Sequence, residues 1–387
     1  MTATRDLDPL FEPFTLNSLT LANRLAMAPM TRSFSPGNVP NEAVAAYYRR
    51  RAEGGTALLV TEGVGIDHPA SIGTGSGSGE SVPVLFGEAA IAGWRRVVDE
   101  VHAAGGAIFP QLWHQGAFRL DGTGPVPDAP TISPSGTWGP MGRRTNAHPD
   151  HLAAYARPNR AMSDEDIADV IAGFARSAAV AKDIGFDGIA IHGASGYLID
   201  QFFWAETNLR TDRFGGDIAA RAAFGAEVVR AIRQAVGPAF PILFRFAQWK
   251  QQDFAATIAA TPDELGTILR ALAEAGTDMF DASTLYFNKP AFPGSDLPLA
   301  AWAKTLSGKP SMAVGGIGLS SDLFNSISIG GATVEANYFE AAERLARGEF
   351  DMLAIGRALI SDPDWPKKVR SGETPIAFDR AHLMQLA

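Results

Sequence analysis

The sequence predicts an α/β fold, a closed (β/α)8 barrel of the TIM type. Three observations support this: eight short apolar, β-rich segments, amphipathic helical patterns between them, and glycine-bearing turns after the last two. The expected strands are 24–28, 57–62, 107–112, 188–192, 242–246, 278–282, 311–314 and 351–355. A count of eight suits a barrel that closes on itself. The length of 387 residues is compatible with one domain over 1–387, because α/β barrels pass about 250 residues by lengthening their loops.

Ahead of the first strand, residues 10–16 read as a strand, Asn17-Ser18 as a turn and Leu19-Thr20-Leu21 as a returning strand. Such a hairpin is placed to plug the bottom of the barrel. The helices carry their own punctuation. Thr261, Pro262 and Glu264 supply N-cap, N1 and N3 of a helix with Leu265, Ile268, Leu269 and Leu272 on one face, and Gly276 ends it. Ser163 opens another, whose apolar face is Ile167, Val170, Ile171 and Phe174. A third presents Trp94, Val97, Val98 and Val101 before Gly105-Gly106. Two stretches break the rhythm. Residues 115–161, rich in Pro, Gly and Asn, are too long for a simple loop and are expected to roof the C-terminal mouth of the barrel, where barrel enzymes keep their sites. Residues 71–79 alternate Gly and Ser and read as a mobile loop.

With 46% hydrophobic and 19% charged residues the composition is that of a folded globular protein. A net charge of −9 and scattered basic residues speak against nucleic acid or an anionic membrane as partner and leave a small molecule as the expected one. The absence of cysteine removes disulfides, thiolate metal sites, iron–sulfur clusters and a catalytic thiol. No metal is expected. Residues 1–10 contain acidic residues and no apolar run, so no signal peptide is expected there and a cytoplasmic location is.

Chemistry-bearing residues gather at strand ends. Just past the fourth strand, His192 and Ser195 can offer hydrogen bonds toward one pocket and Tyr197 a phenolic proton. A strand-end histidine is as often structural as catalytic, and a tyrosine is more often core or rim than acid. After the seventh and eighth strands, Gly315-Gly316 and Gly356-Arg357 suggest a phosphate site: glycine admits close backbone N–H groups, and arginine pairs with a dianion. Glycine also serves tight turns alone. Gln111 and Arg245, near strand ends, need polar partners if buried. A heteroaromatic cofactor with an anionic reduced state would satisfy them, as would a carboxylate. No lysine stands at a strand end for Schiff-base chemistry, Lys250 lying several residues beyond strand five.

These segments resemble the old yellow enzymes along essentially the whole chain. The resemblance rests on residues 10–14 (LFEPF), 23–32 (NRLAMAPMTR), 111–116 (QLWHQG), 189–202 (IAIHGASGYLIDQF), 210–216 (RTDRFGG) and 355–357 (IGR). It implies FMN as cofactor and NAD(P)H as reductant in a ping-pong cycle, with hydride passed to the β-carbon of an α,β-unsaturated carbonyl or nitro compound. Ala28, Pro29, Met30 and Thr31 would line the isoalloxazine and Gly63 would lie beneath it. Gln111 would bond its pyrimidine edge, Arg245 would face N1 and O2, and Gly315, Gly316, Gly356 and Arg357 would hold the phosphate. His192 and Ser195 would bind the acceptor oxygen and Tyr197 would protonate the α-carbon. Trp113, with Tyr286 and Phe292 from the loop after strand six, would complete the substrate pocket. Thr31, where another branch has cysteine, places the chain with the threonine-type members.

Ser195 departs from the Asn or His usual at its position, as do Ala190, where an acid is common, and Ala219-Ala220-Arg221, where Glu-Asn-Arg is usual. An oxidative demethylase or dehydrogenase, and a flavin-binding protein of low turnover, are the competing expectations.

Overall fold

The computed structural model describes residues 6–74 and 81–386. Most of the Gly/Ser stretch, from residue 75 on, lies outside them. Eight parallel strands close a barrel: β1 Leu25–Met27, β2 Leu58–Gly65, β3 Ala107–Trp113, β4 Ile189–Ser195, β5 Ile242–Lys250, β6 Met279–Ser283, β7 Ser311–Val314 and β8 Met352–Ile355. Each pairs with the next in chain order, and β8 returns to β1 through Leu353↔Leu25. The helices that wrap them include α1 Glu42–Glu53, α2 Glu88–Ala103, α3 Asp164–Asp183, α4 Ile218–Val236, α5 Pro262–Ala275 and α6 Leu299–Ser307.

Side-chain alternation along each strand decides what faces the barrel axis. Leu58, Val60, Phe109, Ala190, Leu243, Met279, Met312 and Met352 fill the interior, while Leu59, Ile108, Ile191, Phe244, Phe280 and Leu353 pack against the helices. Carried two residues further, the same alternation puts Gln111, His192, Arg245 and Asp281 on the inner side at the C-terminal mouth. Phe109 is fully buried in that interior, where truncation to alanine would cost about 3–5 kcal/mol.

Helix caps match their sequence signals. Ser163 and Asp166 form a capping box on α3, and Thr261 accepts from the Glu264 amide at 3.2 Å on α5. The N-terminal hairpin is Phe14–Leu16 with Leu19–Leu21, and Leu16 and Leu21 join the interior cluster at the bottom of the barrel. The expected strand over 10–16 is shorter than the sequence suggests. Asp8–Phe11 forms a helical turn instead, with proline in its first turn, where a missing N–H costs nothing.

The fifth strand runs on past Phe246 to Lys250. Lys250 therefore does stand at a strand end, contrary to the sequence reading. Among the described residues no helix is long and apolar enough to cross a membrane.

Candidate active site

A cavity of about 690 Å³ opens at the C-terminal mouth, within the usual range for small-molecule sites. Its wall brings together Ala28, Pro29, Met30, Thr31, Gln111, His192, Ser195, Tyr197, Arg245, Gly315, Gly316, Gly356 and Arg357, residues from six different strand ends or the turns after them.

On the β1 side, the segment bearing Thr31 is tied down by Glu62. The Arg32 and Ser33 amides both donate to its Oε2 at 3.0 Å. Burial pushes the Glu62 carboxyl up to about 7, against the pull of those two amides and of the Arg32 charge. Gln111 receives its backbone order from Thr61, whose Oγ1 accepts from the Gln111 amide at 3.1 Å. Its side-chain Nε2 is buried and has no partner.

Arg245 is held by two bonds, Nη1 to Asp281 Oδ2 at 2.6 Å and Nη2 to Ser283 Oγ at 2.9 Å. The carboxylate alternative noted from sequence is therefore realised, and Arg245 still lines the cavity. Asp281 is fully buried; desolvation raises its pKa and the Arg245 charge opposes that rise.

His192, Tyr197 and Trp113 form one aromatic group. The His192 and Tyr197 rings meet edge to face at 4.7 Å, Trp113 meets Tyr197 edge to face at 4.8 Å, and Trp113 stacks on His192 at 6.0 Å. Burial, reinforced by the Arg245 charge, holds His192 well below the usual imidazole range, so the ring is neutral at pH 7. Its Nδ1 is buried without a partner.

Ser195 sits where the β4–β5 register shifts and adopts a left-handed φ of +63°, uncommon outside glycine. What holds the turn is a buried ion pair. The Gly196 amide donates to Asp200 Oδ2 at 2.5 Å, and Asp200 Oδ1 takes Lys250 Nζ at 2.8 Å. Both charged side chains are fully buried, and desolvation raises the aspartate and lowers the lysine. Lys250 lies beneath the turn and outside the cavity wall, its ammonium occupied.

The phosphate candidates lie on adjoining strand ends. Gly315 and Gly316 have φ of +135° and +64°, and a Cβ on Gly315 would lie 2.5 Å from the Thr284 carbonyl oxygen, so no other residue fits there. The Arg357 guanidinium donates to the Asp322 and Ser321 carbonyls at 3.1 and 2.9 Å and to Ser326 Oγ. Burial lowers its pKa to about 10.

Four expected residues stand outside the wall. Trp113 is 1% exposed and supports the His192 and Tyr197 rings from behind. Gly63 lies under that indole: a Cβ there would come within 2.5 Å of Trp113 Cε3, so its missing side chain serves the tryptophan. Tyr286 gives its hydroxyl to Asp322 at 3.1 Å. Phe292 is buried edge-on against Trp302 at 5.7 Å.

Other wall residues carry no mark in the sequence. Asn146, His148, His151 and Tyr155 descend from the 115–161 segment, Trp249 and Gln251 come from β5 and the residues after it, and Leu323, Phe324 and Leu383 come from still later segments. Arg144 staples this roof, lying 3.6 Å from Asp322 and over the Phe254 and Phe324 rings at 5.3 and 5.7 Å. Asp281 had a signal, an acid at an inward position of a buried strand. The roof residues had none.

The residues present fit FMN. An orphaned amide donor on Gln111, Arg245 on the same cavity lining, an apolar Ala28–Met30 wall and paired glycine turns with Arg357 supply the contacts that a heteroaromatic ring and a phosphate require.

Residues 9–374 match the model of the NADH:flavin oxidoreductase / NADH oxidase family. The chain is 33% identical over 373 residues to a metal reductase of Desulforamulus reducens, covering 94% of this chain and 49% of that protein, so it spans about half the length of that relative. It is 31% identical over 360 residues to 12-oxophytodienoate reductase 2 of Arabidopsis thaliana, covering 93% of this chain and 88% of that one. The solved structure of morphinone reductase in complex with tetrahydroNAD superposes with a TM-score of 0.78 at 26% identity, over 97% of this chain and 93% of that one. With a matching barrel, a cavity that fits a flavin and a family match over nearly its whole length, the chain belongs to the old yellow enzyme group of NADH:flavin oxidoreductases, enzymes that use FMN with a reduced nicotinamide nucleotide.

Proposed function

We propose that this enzyme reduces the C=C bond of α,β-unsaturated carbonyl or nitro compounds, with His192 and Ser195 holding the acceptor oxygen and Tyr197 giving the proton to the α-carbon. The observation that carries the reading is the convergence of His192, Ser195 and Tyr197 in one cavity with Gln111, Arg245 and the Gly316/Arg357 turns. FMN held in this cavity would supply the redox chemistry, hydride exchange between NAD(P)H and the β-carbon of the acceptor. The protein supplies position and protons.

A neutral His192 donates without bringing a charge of its own, so its hydrogen bond strengthens as negative charge builds on the acceptor oxygen; a donor of this kind contributes about 3–4 kcal/mol where it has been removed by mutation. Ser195 adds a shorter hydroxyl. Its φ of +63° directs the turn so that Tyr197 follows on the same wall. The Tyr197 ring is fixed by His192 on one edge and by Trp113 and Phe118, which holds the phenol in a single orientation over the cavity. Gln111 and Arg245 would hold the flavin ring, with Arg245 placed by Asp281 and Ser283 to meet negative charge on it. Gly315, Gly316, Gly356 and Arg357 would take the phosphate. Thr31 lies on the same wall, consistent with the threonine-type branch.

The test is anaerobic: the visible flavin band of the purified protein is followed through NADPH and then 2-cyclohexenone. Bleaching by NADPH and recovery with the enone are expected. Bleaching with no recovery on any enone or nitroalkene would remove the acceptor assignment while leaving the flavin in place.

A further inference from the structure

The family match stops at residue 374, yet the chain beyond it returns to the barrel mouth. Phe378–Asp379 pairs antiparallel with Gly331–Ala332, and Arg380–Met384 makes a 3-10 turn capped by the Asp379 side chain, which accepts from the Ala381 amide at 2.8 Å. The carbonyls at the end of so short a helix have no partner within it. Here they converge on one cation: Arg32 Nη2 donates to the carbonyls of His382, Leu383 and Gln385 at 3.0, 3.3 and 2.8 Å. Arg50 Nη2 takes the Leu386 carbonyl at 2.7 Å, and His382 Nδ1 lies 2.8 Å from Ser361 Oγ.

Arg32 is 6% exposed. Burying a guanidinium is expensive unless its donors are met; the tail carbonyls meet Arg32 Nη2, through which the arginine fixes the tail, while Nη1 is buried without a hydrogen-bond partner. Arg32 also directly follows Thr31. The outcome of this stitching is that the Leu383 side chain enters the cavity wall, with Ile360, on the side of β8 and β1. That side lies across the mouth from His192, Ser195 and Tyr197 on β4.

We infer that residues 380–386 clamp the bound flavin, with Leu383 as the side chain that covers it and Arg32 as the residue that positions the clamp. The inference rests on the flavin reading above. A flat aromatic cofactor in this cavity meets a branched apolar side chain on that side and is shielded from water there. Because the clamp faces away from the acceptor donors, it governs how tightly the cofactor is held.

The experiment titrates flavin-stripped full-length protein with FMN and follows the quenching of flavin fluorescence. Leu383→Ala is expected to raise the Kd about fivefold to tenfold, because less apolar surface of the flavin is then covered. Arg32→Ala is expected to raise it at least as much and to speed hydrogen exchange of the 380–386 amides, with Arg32→Lys restoring part of both. Leu209→Ala is the control: that residue is 67% exposed and lies outside both the clamp and the cavity wall, and its Kd should stay within about twofold of wild type. If Arg32→Ala does not fold, Leu383→Ala and Leu383→Asp decide the matter. A Leu383→Ala protein that binds FMN as wild type does overturns the clamp alone. A wild-type apoprotein that takes up no FMN overturns the flavin reading and the clamp together.

Discussion

On the strand side of the cavity, Gln111, His192 and Arg245 stand at inward positions of neighbouring strands, each held by packing or by bonds to residues that are themselves buried. On the roof, His148 and His151 come from a segment with little regular structure, and the His148 side chain is 62% exposed. The two sides therefore differ in what fixes a side chain. Strand residues are placed by the barrel's own register and cannot shift without disturbing the core. Roof residues are placed by a few contacts such as the Arg144 staple, and can be exchanged at small structural cost. In the proposed reaction the chemistry falls to the rigid side, and the choice of acceptor to the adjustable one.

Removing a rigid-side support should have the largest effect. Lys250→Met leaves Asp200 buried and unpaired, and a stability loss of about 3–5 kcal/mol is expected in denaturant unfolding. A loss below about 1 kcal/mol would show that the pair is dispensable and the turn at Gly196 self-supporting. Next comes Tyr197→Phe, expected to slow reoxidation by 2-cyclohexenone about 10²–10⁴-fold with little change in reduction by NADPH; rapid-mixing absorbance separates the two half-reactions. Equal slowing of both would assign the tyrosine to the nicotinamide step.

Acid should act through the same buried layer. His68, lowered to about 4 by burial, sits with its Nδ1 3.3 Å from His114 Nε2, and burial holds His114 well below its ordinary range. A folded-state pKa below the unfolded value of about 6.5 means that the unfolded chain binds the proton first, so stability is present above pH 6.5 and is lost as pH falls toward 4. Relative to His68→Gln, wild type should lose about 3 kcal/mol between pH 7 and pH 4. Unfolding midpoints that stay parallel across that range would remove His68 as the cause.

Smaller effects test the boundary between the two sides. Ser195→Asn should ease the left-handed turn, because asparagine tolerates that conformation better, and should supply an amide to the acceptor oxygen. A rise of about tenfold in kcat/KM on 2-cyclohexenone is expected from one added hydrogen bond; unchanged kinetics would mean that the serine already reaches the oxygen. His151→Ala should change KM for bulky acceptors about twofold to fivefold and leave unfolding within about 0.5 kcal/mol. A larger stability loss would move His151 to the rigid side.

The same division explains what the sequence disclosed. All eight strands were legible because alternating apolar residues and following glycines leave a strong local pattern, and strand-end position alone pointed to Gln111, His192, Arg245 and the Gly315/Arg357 turns. Trp113 lies behind the pocket rather than on its wall because its position depends on the neighbouring strand: Gly65 pairs with it and Gly63 makes room for its ring, a relation between chain segments fifty residues apart. Lys250 escapes a local reading because Gln248-Trp249-Lys250 lacks apolar alternation, although the ladder to β4 continues through Ser195↔Lys250. Tyr286 and Phe292 are drawn toward the pocket by their place after strand six, but an Asp322 hydrogen bond and a Trp302 contact hold them elsewhere. The roof carries no periodicity, so nothing local marks His151 or Leu383.

The seam of the barrel joins residues at its two sequence extremes, Leu25 on β1 and Leu353 on β8. At a ribosomal rate of about 5–20 residues per second, β1 waits roughly 15–65 s for its partner to be synthesised. Through that interval the nascent sheet has a bare edge on each side, with unpaired N–H and C=O groups ready to template association. Closure of this barrel is therefore a late event of biosynthesis, and the growing chain depends on shielding by chaperones or on its own outer helices until β8 has emerged.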